Sequence, residues 1–213
     1  MRQAEKSAVS VQIINEAISL GASLAGIAAV EQLKKSPSHD IYTKIEPNQG
    51  VGSRDFAEGV KPGEVAWPPS AKSALVIALA HKEDDLEMDW WIVGDDDRES
   101  RGYRLLLGIL DDVSKWVAKE LAITTHLLPY HVEKGGIFYK DAGVLAGLGC
   151  IGKNNLLLTP QYGPRIRVWA LLFDEELSPT GPVIYDPCNG CDEPVEVIKF
   201  CRLCELSCPV GKG

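Results

Sequence analysis

The sequence predicts an α+β fold for one main domain, and three observations lead to that class. Segments with helical spacing and segments typical of strands both occur, but they do not alternate as a regular βαβ repeat. The length of 213 residues allows one well-buried domain and a small appendage. The composition is that of a globular protein, with 45% hydrophobic and 24% charged residues. We expect the main domain over residues 1–180 and a cysteine-rich tail over residues 181–213.

Three segments have the apolar spacing of helices. Residues 5–20 place apolar side chains on one face, and Gly21 is suited to end that helix. Residues 101–121 form the strongest amphipathic pattern in the chain. Residues 139–149 have helical character until their glycines.

Five shorter segments are typical of strands, and one long segment is typical of a loop. Residues 34–70 are rich in Pro, Gly, Ser and charged residues, which favours an extended loop. The apolar run ALVIALA is the best candidate for a buried strand. The five predicted strands are residues 23–30, 73–81, 123–130, 155–160 and 165–174.

The charge and the hydropathy pattern exclude some classes of partner. The formal net charge is −8, whereas a nucleic-acid partner calls for a concentrated basic face. No apolar run approaches the roughly 18 residues of a membrane span. The first 20 residues carry charges where a signal peptide has its apolar core. We expect a cytoplasmic protein that binds neither nucleic acid nor membrane.

The glycine-rich stretch AGLGCIGKNN, residues 146–155, matches two phosphate-binding patterns at once. The spacing from Gly147 to Gly152 fits the dinucleotide fingerprint G-x-G-x-x-G, and it also fits a phosphate loop as far as the lysine. Both patterns need a strand before the glycines and a helix after them. Here a predicted helix precedes and a predicted strand follows, and Asn154 stands where a phosphate loop has Ser or Thr. Neither nucleotide motif is therefore favoured.

Two interpretations of the same stretch remain. Gly147, Gly149 and Gly152 lack side chains, so that backbone can approach a ligand closely, with Lys153 and Asn154 as polar contacts at its edge. The alternative is a tight connection between a helix and a strand that binds nothing. The sequence leaves both open.

Five of the six cysteines fall in the last 26 residues, and such a cluster in a cytoplasmic chain indicates metal binding. The segment C-x2-C-x3-C-P is the end of a ferredoxin-type motif whose first cysteine would fall at Ile198. The upstream C-x2-C pair can supply the missing thiolate, which predicts one [4Fe–4S] cluster. The candidate ligands are Cys188, Cys191, Cys201, Cys204 and Cys208.

The identity of the metal and of its four ligands stays open at this point. Either Cys188 or Cys191 joins the last three cysteines, or the two C-x2-C pairs form the site and Cys208 is spare. The two C-x2-C pairs also have the spacing of a zinc ribbon, so zinc is the alternative metal.

Two blocks carry a resemblance to a known family. Residues 140–177, with AGLGCIGKNN followed by LLLTPQYGPRIR, and residues 200–209, FCRLCELSCP, resemble the epoxyqueuosine reductase-like iron–sulfur family. That family is related to the C-terminal half of corrinoid reductive dehalogenases. Weaker similarity extends to residues 21–33 and 71–81.

The resemblance implies a nitroreductase-like domain that binds a cobalamin-type corrinoid, with a short ferredoxin-like cysteine segment delivering electrons to cobalt. It also implies that the glycine-rich stretch lines the corrinoid pocket through Gly147, Gly149, Cys150, Gly152, Lys153 and Asn154. Cys150 stands where the family commonly has Trp, so it is either a small buried residue or a thiol beside the cofactor.

The resemblance further implies an acidic proton donor before the glycines, and Asp141 is the nearest candidate. Tyr139 and Lys140 complete the closest proton-donating cluster, although a helix start and salt bridges would also account for all three. His81 and His131, each after a strand, could face the pocket, and Arg165 and Arg167 could meet an anionic group of the cofactor. Ordinary structural roles are the alternative for all four.

Three functional hypotheses follow. The first is a corrinoid-dependent iron–sulfur oxidoreductase that reduces a small substrate, with a donor such as ferredoxin or flavodoxin. The second is an electron-transfer protein that reduces or carries a corrinoid for a partner corrinoid protein. The third is a domain with a zinc-ribbon tail that binds flavin or no cofactor. A homodimer is compatible with each.

Overall fold

The fold is built around a four-stranded antiparallel sheet. The computed structural model describes residues 2–42, 44, 64–81, 88 and 100–187. The strands lie in the order β1–β2–β6–β3, so β2 and β6 are central. Their bounds are β1 (Leu24–Ala29), β2 (Ser73–Ala80), β3 (Thr125–Leu127) and β6 (Ile166–Phe173). Two further strands, β4 (Cys150–Ile151) and β5 (Leu157–Leu158), form a separate short hairpin.

Among the described residues, five α-helices and a short 3₁₀-helix (Val132–Lys134) accompany the sheet. The two long helices are α1 (Gln3–Ser19) and α4 (Arg101–Leu121), and the three short ones are α2 (Val30–Leu33), α3 (Pro37–Tyr42) and α5 (Tyr139–Leu145). The side chain of Ser100 caps α4 by accepting a hydrogen bond from the backbone N–H of Tyr103 at 3.3 Å. None of the helices within the described residues is long and apolar enough to cross a membrane.

Both faces of the sheet are buried, which explains the uninterrupted apolar run of β2. Successive side chains of a strand point to opposite faces. Leu75 and Ile77 face a core that also contains Trp169 of β6, and this core is covered by α1 and α4. Val76 and Ala78 face the opposite core. If polar and apolar residues alternated along β2, the strand would supply apolar side chains to only one of these cores.

The second core positions the elements of the candidate site. Ala142 and Ala146, on and just after α5, pack in the same cluster as Ala170 and Leu172 of β6. The small side chains let the short helix lie close to the sheet. As a result the glycine-rich stretch that follows α5 emerges beside the sheet.

The α+β class is confirmed, and so are all three predicted helices. The strand expected over residues 123–130 is limited to β3, and the strand expected over 155–160 to β5. The predicted loop over 34–70 contains α3. Helix α2 and strand β4 were not predicted, since four or two residues are too few to establish a period.

The carboxyl end of α4 offers a test of local backbone strain. Ala122 caps the helix in the left-handed conformation, with φ of 53°, a position that favours glycine. We expect Ala122→Gly to raise the free energy of unfolding by about 1 kcal/mol, because the Cβ penalty is removed. Ala118→Gly, at an exposed position inside the same helix, should lower it by about 1 kcal/mol. Urea unfolding midpoints measure both, and a loss of stability in Ala122→Gly would contradict the assignment.

Candidate functional site

A cavity of about 300 Å³ opens at the end of the sheet where β2 stops and β6 begins. The backbone N–H of His81, just after β2, donates to the carbonyl of Arg165 at 2.9 Å and closes the ladder there. The ladder between β3 and β6 reaches only from Phe173 to Leu171, so within the described chain it stops short of this end. The start of β6 therefore lines the cavity instead of pairing with β3.

The cavity has polar and apolar walls. Its polar lining consists of His81, Tyr130, Tyr139, Lys140 and Arg167. Its apolar lining comes from the β5 region and the start of β6, namely Leu156, Leu157, Pro164, Ile166 and Val168. A concave site that combines apolar walls with convergent polar groups is suited to a small molecule.

An aromatic cluster supports one wall of the cavity. The rings of Tyr130 and Tyr139 are stacked, with centroids 5.5 Å apart and an interplanar angle of 25°. Tyr130 meets Trp169 of β6 edge to face at 5.3 Å, and Trp169 lies 4.8 Å from Tyr103 of α4. The Trp169 indole N–H donates to the carbonyl of Leu128 at 3.3 Å. These contacts hold both phenol rings at the edge of the sheet.

The hydroxyl of Tyr139 donates a hydrogen bond to the carbonyl of Pro129 at 2.9 Å. Burial raises the pKa of this phenol well above 10, and the nearby Tyr130 raises it further. Tyr139 therefore keeps its proton at neutral pH. It is a hydrogen-bond donor in the cavity wall and not a base.

Lys140 connects α5 to the β4–β5 hairpin. Its Nζ donates to the backbone carbonyl of Asn155 at 2.8 Å and to the side-chain oxygen of the same residue at 3.0 Å. Asn155 has a positive φ of 59°, which asparagine tolerates better than most residues. The lysine thus fixes the turn that leads into the apolar wall of the cavity.

The glycine-rich stretch forms the end of α5 and the hairpin, where Cys150 pairs with Leu158. A Cβ on Gly149 would overlap the backbone carbonyl of Leu158, and a Cβ on Gly152 would lie 2.6 Å from the Leu158 side chain. Gly147 has a φ of 77°. The bare faces of all three glycines are therefore turned towards the protein itself.

The segment that leads into the cysteine tail crosses this glycine turn. The Thr180 hydroxyl donates to the carbonyl of Ala146 at 2.7 Å and accepts from the backbone N–H of Ile27 at 2.8 Å. A Cβ on Gly181 would overlap the backbone of Gly147. Thr180 and Gly181 thus contact β1 and the end of α5 immediately before the predicted tail.

The other predicted contacts of the stretch lie on its outer side. Cys150 is half-buried, and Lys153 and Asn154 are exposed. The side-chain oxygen of Asn154 accepts from the backbone N–H of Leu156 at 3.1 Å, which stabilises the hairpin turn. This contact gives Asn154 a structural role, and the predicted contacts of these three residues with a cofactor stay predictions.

Asp141 is held by α3. Its carboxylate, only 3% exposed, accepts from the backbone N–H of Ser38 at 2.9 Å and from the Ser38 hydroxyl at 2.7 Å. It is not among the described residues that line the cavity, whereas its neighbours Tyr139 and Lys140 are. Its predicted role as proton donor stays a prediction. In the structure, its hydrogen bonds with Ser38 connect α5 to α3.

His39 reinforces the same contact between helices. Its Nε2 lies 3.3 Å from the backbone nitrogen of Phe138, which can only donate, and its Nδ1 lies 2.8 Å from the Ser36 hydroxyl. The ring is therefore neutral, with its proton on Nδ1. Burial lowers the pKa of His39, and the charge of Asp141 opposes that shift in part.

Sequence patterns identified part of this site and missed part of it. The predicted residues Tyr139 and Lys140 line the cavity, and so do His81 and Arg167, whereas His131 and Arg165, considered for the same roles, are not among its described lining residues. Tyr130 was missed, because a tyrosine after a strand carries no sequence signal of its own. The cysteines Cys188, Cys191, Cys201, Cys204 and Cys208 lie outside the described residues.

Sequence comparison identifies similar proteins, although no protein-family model matches the chain. The chain is 34% identical over 102 residues to tetrachloroethene reductive dehalogenase from Desulfitobacterium hafniense and to that from Dehalobacter restrictus. The match covers 44% of this chain and 16% of each enzyme. The chain thus matches a small part of these longer proteins.

The fold is shared with solved structures of two kinds of enzyme. Epoxyqueuosine reductase from Streptococcus thermophilus superimposes with a TM-score of 0.60 at 20% identity, covering 94% of this chain and 52% of that one. A reductive dehalogenase whose structure suggests a mechanism for B12-dependent dehalogenation gives a TM-score of 0.53 at 16% identity, covering 85% and 22%. The resemblance expected from the sequence is confirmed.

The glycine stretch can be tested through stability. Gly149→Ala should lower the free energy of unfolding by about 3 kcal/mol, because the obstructing atom is a backbone carbonyl that cannot move aside cheaply. Gly108→Ala, in α4 with nothing within 4 Å of the added carbon, should instead stabilise the fold by up to about 1 kcal/mol. Chemical denaturation measures both, and equal effects would refute the internal role of Gly149.

The buried histidine predicts a pH dependence of stability. The unfolded chain titrates its histidine near 6.5, whereas the folded pKa is lower, so below pH 6.5 the unfolded state binds the extra proton. Stability due to His39 is full above pH 6.5 and falls as the pH drops towards the folded pKa, by up to about 1.4 kcal/mol per pH unit.

His39→Gln should remove this contribution, whereas His131→Gln, at an exposed position, should leave it in place. The measurement is the urea midpoint of each variant between pH 8 and pH 5. If the wild type and His39→Gln lose stability in parallel over this range, the buried histidine is not its source.

Proposed function

We propose that the chain is a corrinoid-binding iron–sulfur oxidoreductase, with a [4Fe–4S] cluster that passes electrons to the cobalt of the corrinoid for the reduction of a small substrate. The observation that carries the proposal is that three features of the chain lie close together. The cavity, the glycine-rich hairpin and the entry to the cysteine segment all lie around α5. The sequence similarity to a reductive dehalogenase supports the same chemistry.

The size of the cavity indicates that the substrate and the corrinoid bind at different places. Small-molecule pockets range from about 300 to 1,000 Å³, so a cavity of about 300 Å³ suits a ligand of about one ring and is too small for a whole corrinoid. We assign the cavity to the substrate. A corrinoid would lie against the outer side of the hairpin, where Ile151 is 40% exposed and Lys153 and Asn154 offer polar contacts.

When bound, the corrinoid would supply a cobalt centre able to exchange single electrons with the cluster and the substrate. The protein's own residues have the remaining tasks. Tyr139 keeps its phenolic proton and can donate a hydrogen bond to a substrate in place of the Pro129 carbonyl. Lys140 holds the hairpin wall and brings a positive charge to the cavity.

The position of the tail entry supports an electron supply close to this site. Gly181 packs against Gly147, and Cys188 lies seven positions after Gly181. Seven residues of fully extended chain span at most about 25 Å. The chain length therefore limits the distance of the first cysteine from Gly181 to that value, and we propose residues 181–213 as the cluster-binding segment.

The cavity also favours an enzyme over a pure carrier of electrons or corrinoid. A carrier needs a surface for its cargo but no second site for a small molecule, whereas this chain has both an exposed hairpin and a separate cavity. The zinc alternative uses the same cysteines, which lie outside the described residues, and the metal content of the purified protein decides it.

The full chain, purified anaerobically, tests the proposal. We expect a broad visible absorption that dithionite bleaches, with about four irons per chain. Hydroxocobalamin added to this protein should show a shifted spectrum, and Ile151→Glu should weaken its binding about tenfold by placing a charge against the corrinoid. The matched control is Val11→Glu, which alters a similarly exposed apolar side chain on α1 and should bind normally.

Each outcome decides a different part of the proposal. A colourless protein with stoichiometric zinc would refute the iron–sulfur cluster. A cluster without any effect of hydroxocobalamin would refute the corrinoid. Equal weakening by Ile151→Glu and Val11→Glu would leave corrinoid binding intact but remove the hairpin from it.

A further inference from the structure

We infer that the β4–β5 hairpin couples the cavity to the outer face of the hairpin, and that Lys140 is the positioning residue through which this coupling acts. The role of the outer face rests on the proposed function, which takes this face as the corrinoid surface. A change at Lys140, on the cavity side, is therefore expected to alter corrinoid binding on the other side.

The hairpin forms a wall between the two places. Leu156 and Leu157 line the cavity, and Leu157 is only 5% exposed. Ile151, Lys153 and Asn154 are exposed on the outer side. Because one short segment carries both sets of residues, a shift of the hairpin changes the cavity wall and the outer face together.

The strands of the hairpin are too short to hold it in place. Strands β4 and β5 share only two residue pairs, and an isolated two-stranded hairpin is marginally stable in water. The backbone N–H of Asn155 donates to the carbonyl of Gly152 at 2.9 Å, and the N–H of Gly152 donates to the carbonyl of Leu156 at 2.9 Å. These bonds join residues within the turn, so they fix its shape but not its position on the domain.

Helix α5 supplies contacts that position the hairpin. A Cβ on Gly143 would overlap the side chain of Leu157, so this leucine packs directly against the helix. Lys140 lies three residues before Gly143 and therefore on the same face of α5. Its Nζ donates to both oxygens of Asn155, at 2.8 Å and 3.0 Å. One face of α5 thus holds the hairpin by an apolar contact and by a polar contact.

The polar contact belongs to the cavity as well as to the hairpin. Lys140 lines the cavity, so a single side chain contacts the cavity and holds the hairpin turn. Asn155 has a φ of 59°, a backbone conformation that asparagine and aspartate tolerate better than most residues. Asn155→Asp is therefore expected to strengthen the contact without straining the turn, because a carboxylate accepts more strongly from an ammonium group than an amide does.

Amide hydrogen exchange of the full chain, without added corrinoid, tests the hold on the hairpin. In Lys140→Met the amides of Gly152 and Asn155 should exchange about tenfold faster, because the charge-assisted hydrogen bonds to the turn are lost. Lys140→Arg keeps charged donors and should stay close to the wild type. Lys115→Met, at an exposed lysine paired with Asp111 on α4, should leave both amides unchanged.

A double-mutant cycle separates the contact with Asn155 from any other effect of Lys140. Asn155→Asp should slow the exchange of the turn amides about threefold while Lys140 is present. It should have no effect in the Lys140→Met background, since the charged donor is absent. Equal effects of Asn155→Asp in both backgrounds would overturn the role of Lys140.

Titration of hydroxocobalamin into the anaerobically purified full chain tests the coupling. Lys140→Met should raise the Kd of hydroxocobalamin about tenfold, although the substituted residue lies on the cavity side. Val168→Ala alters the cavity wall on β6 and leaves the hairpin unchanged, so it should bind hydroxocobalamin as the wild type does. A wild-type Kd for Lys140→Met, or an equal loss of affinity for Val168→Ala, would overturn the coupling.

The two measurements separate this coupling from the proposed function. If the wild type does not bind hydroxocobalamin but the exchange cycle connects Lys140 with Asn155, the positioning role of Lys140 is supported and the corrinoid proposal is refuted. If the wild type binds hydroxocobalamin but Lys140→Met leaves the exchange of the turn amides unchanged, the corrinoid proposal stands and the positioning role is refuted.

Discussion

The ladder between β2 and β6 is the contact on which the rest of the fold depends. It consists of eight residue pairs, from Ser73 opposite Phe173 to Ala80 opposite Ile166. Since successive side chains alternate between the faces, the same two strands supply apolar residues to both cores. Helices α1 and α4 cover one face and α5 the other, and none of them could bury its apolar side without these strands. The cavity opens where this ladder ends.

The site depends on how α5 is tied to its surroundings. A helix of seven residues is marginal by itself, so tertiary contacts hold it. Asp141 connects it to α3, Lys140 connects it to the hairpin, and the carbonyl of Ala146 accepts from Thr180. These ties put two side chains of α5 into the cavity. They also account for the glycines that follow, which allow the hairpin and the segment before the cysteine tail to pack closely.

Periodic patterns accounted for the larger elements. Helices α1 and α4 and strands β2 and β6 are long enough for a period of 3.6 or for a continuous apolar run to be recognised, and each was predicted within about two residues. The short elements had no such signal. Strand β4 forms because Cys150 and Ile151 pair with Leu158 and Leu157 after the chain turns back. A segment of two residues carries no pattern from which such a pairing could be predicted.

The sequence by itself determined the α+β class and the long elements, because these depend on local period and apolar runs. Metal binding by the cysteine cluster stays a prediction. Only the tertiary structure decided which way the glycine-rich stretch faces. Three glycines suited a ligand and a tight turn equally, and contacts with Leu158 and Gly181 use their bare faces inside the protein. The tertiary structure alone also brought Tyr130, Lys140 and Arg167 to one cavity, because they come from a loop, a helix and a strand whose approach is set by packing.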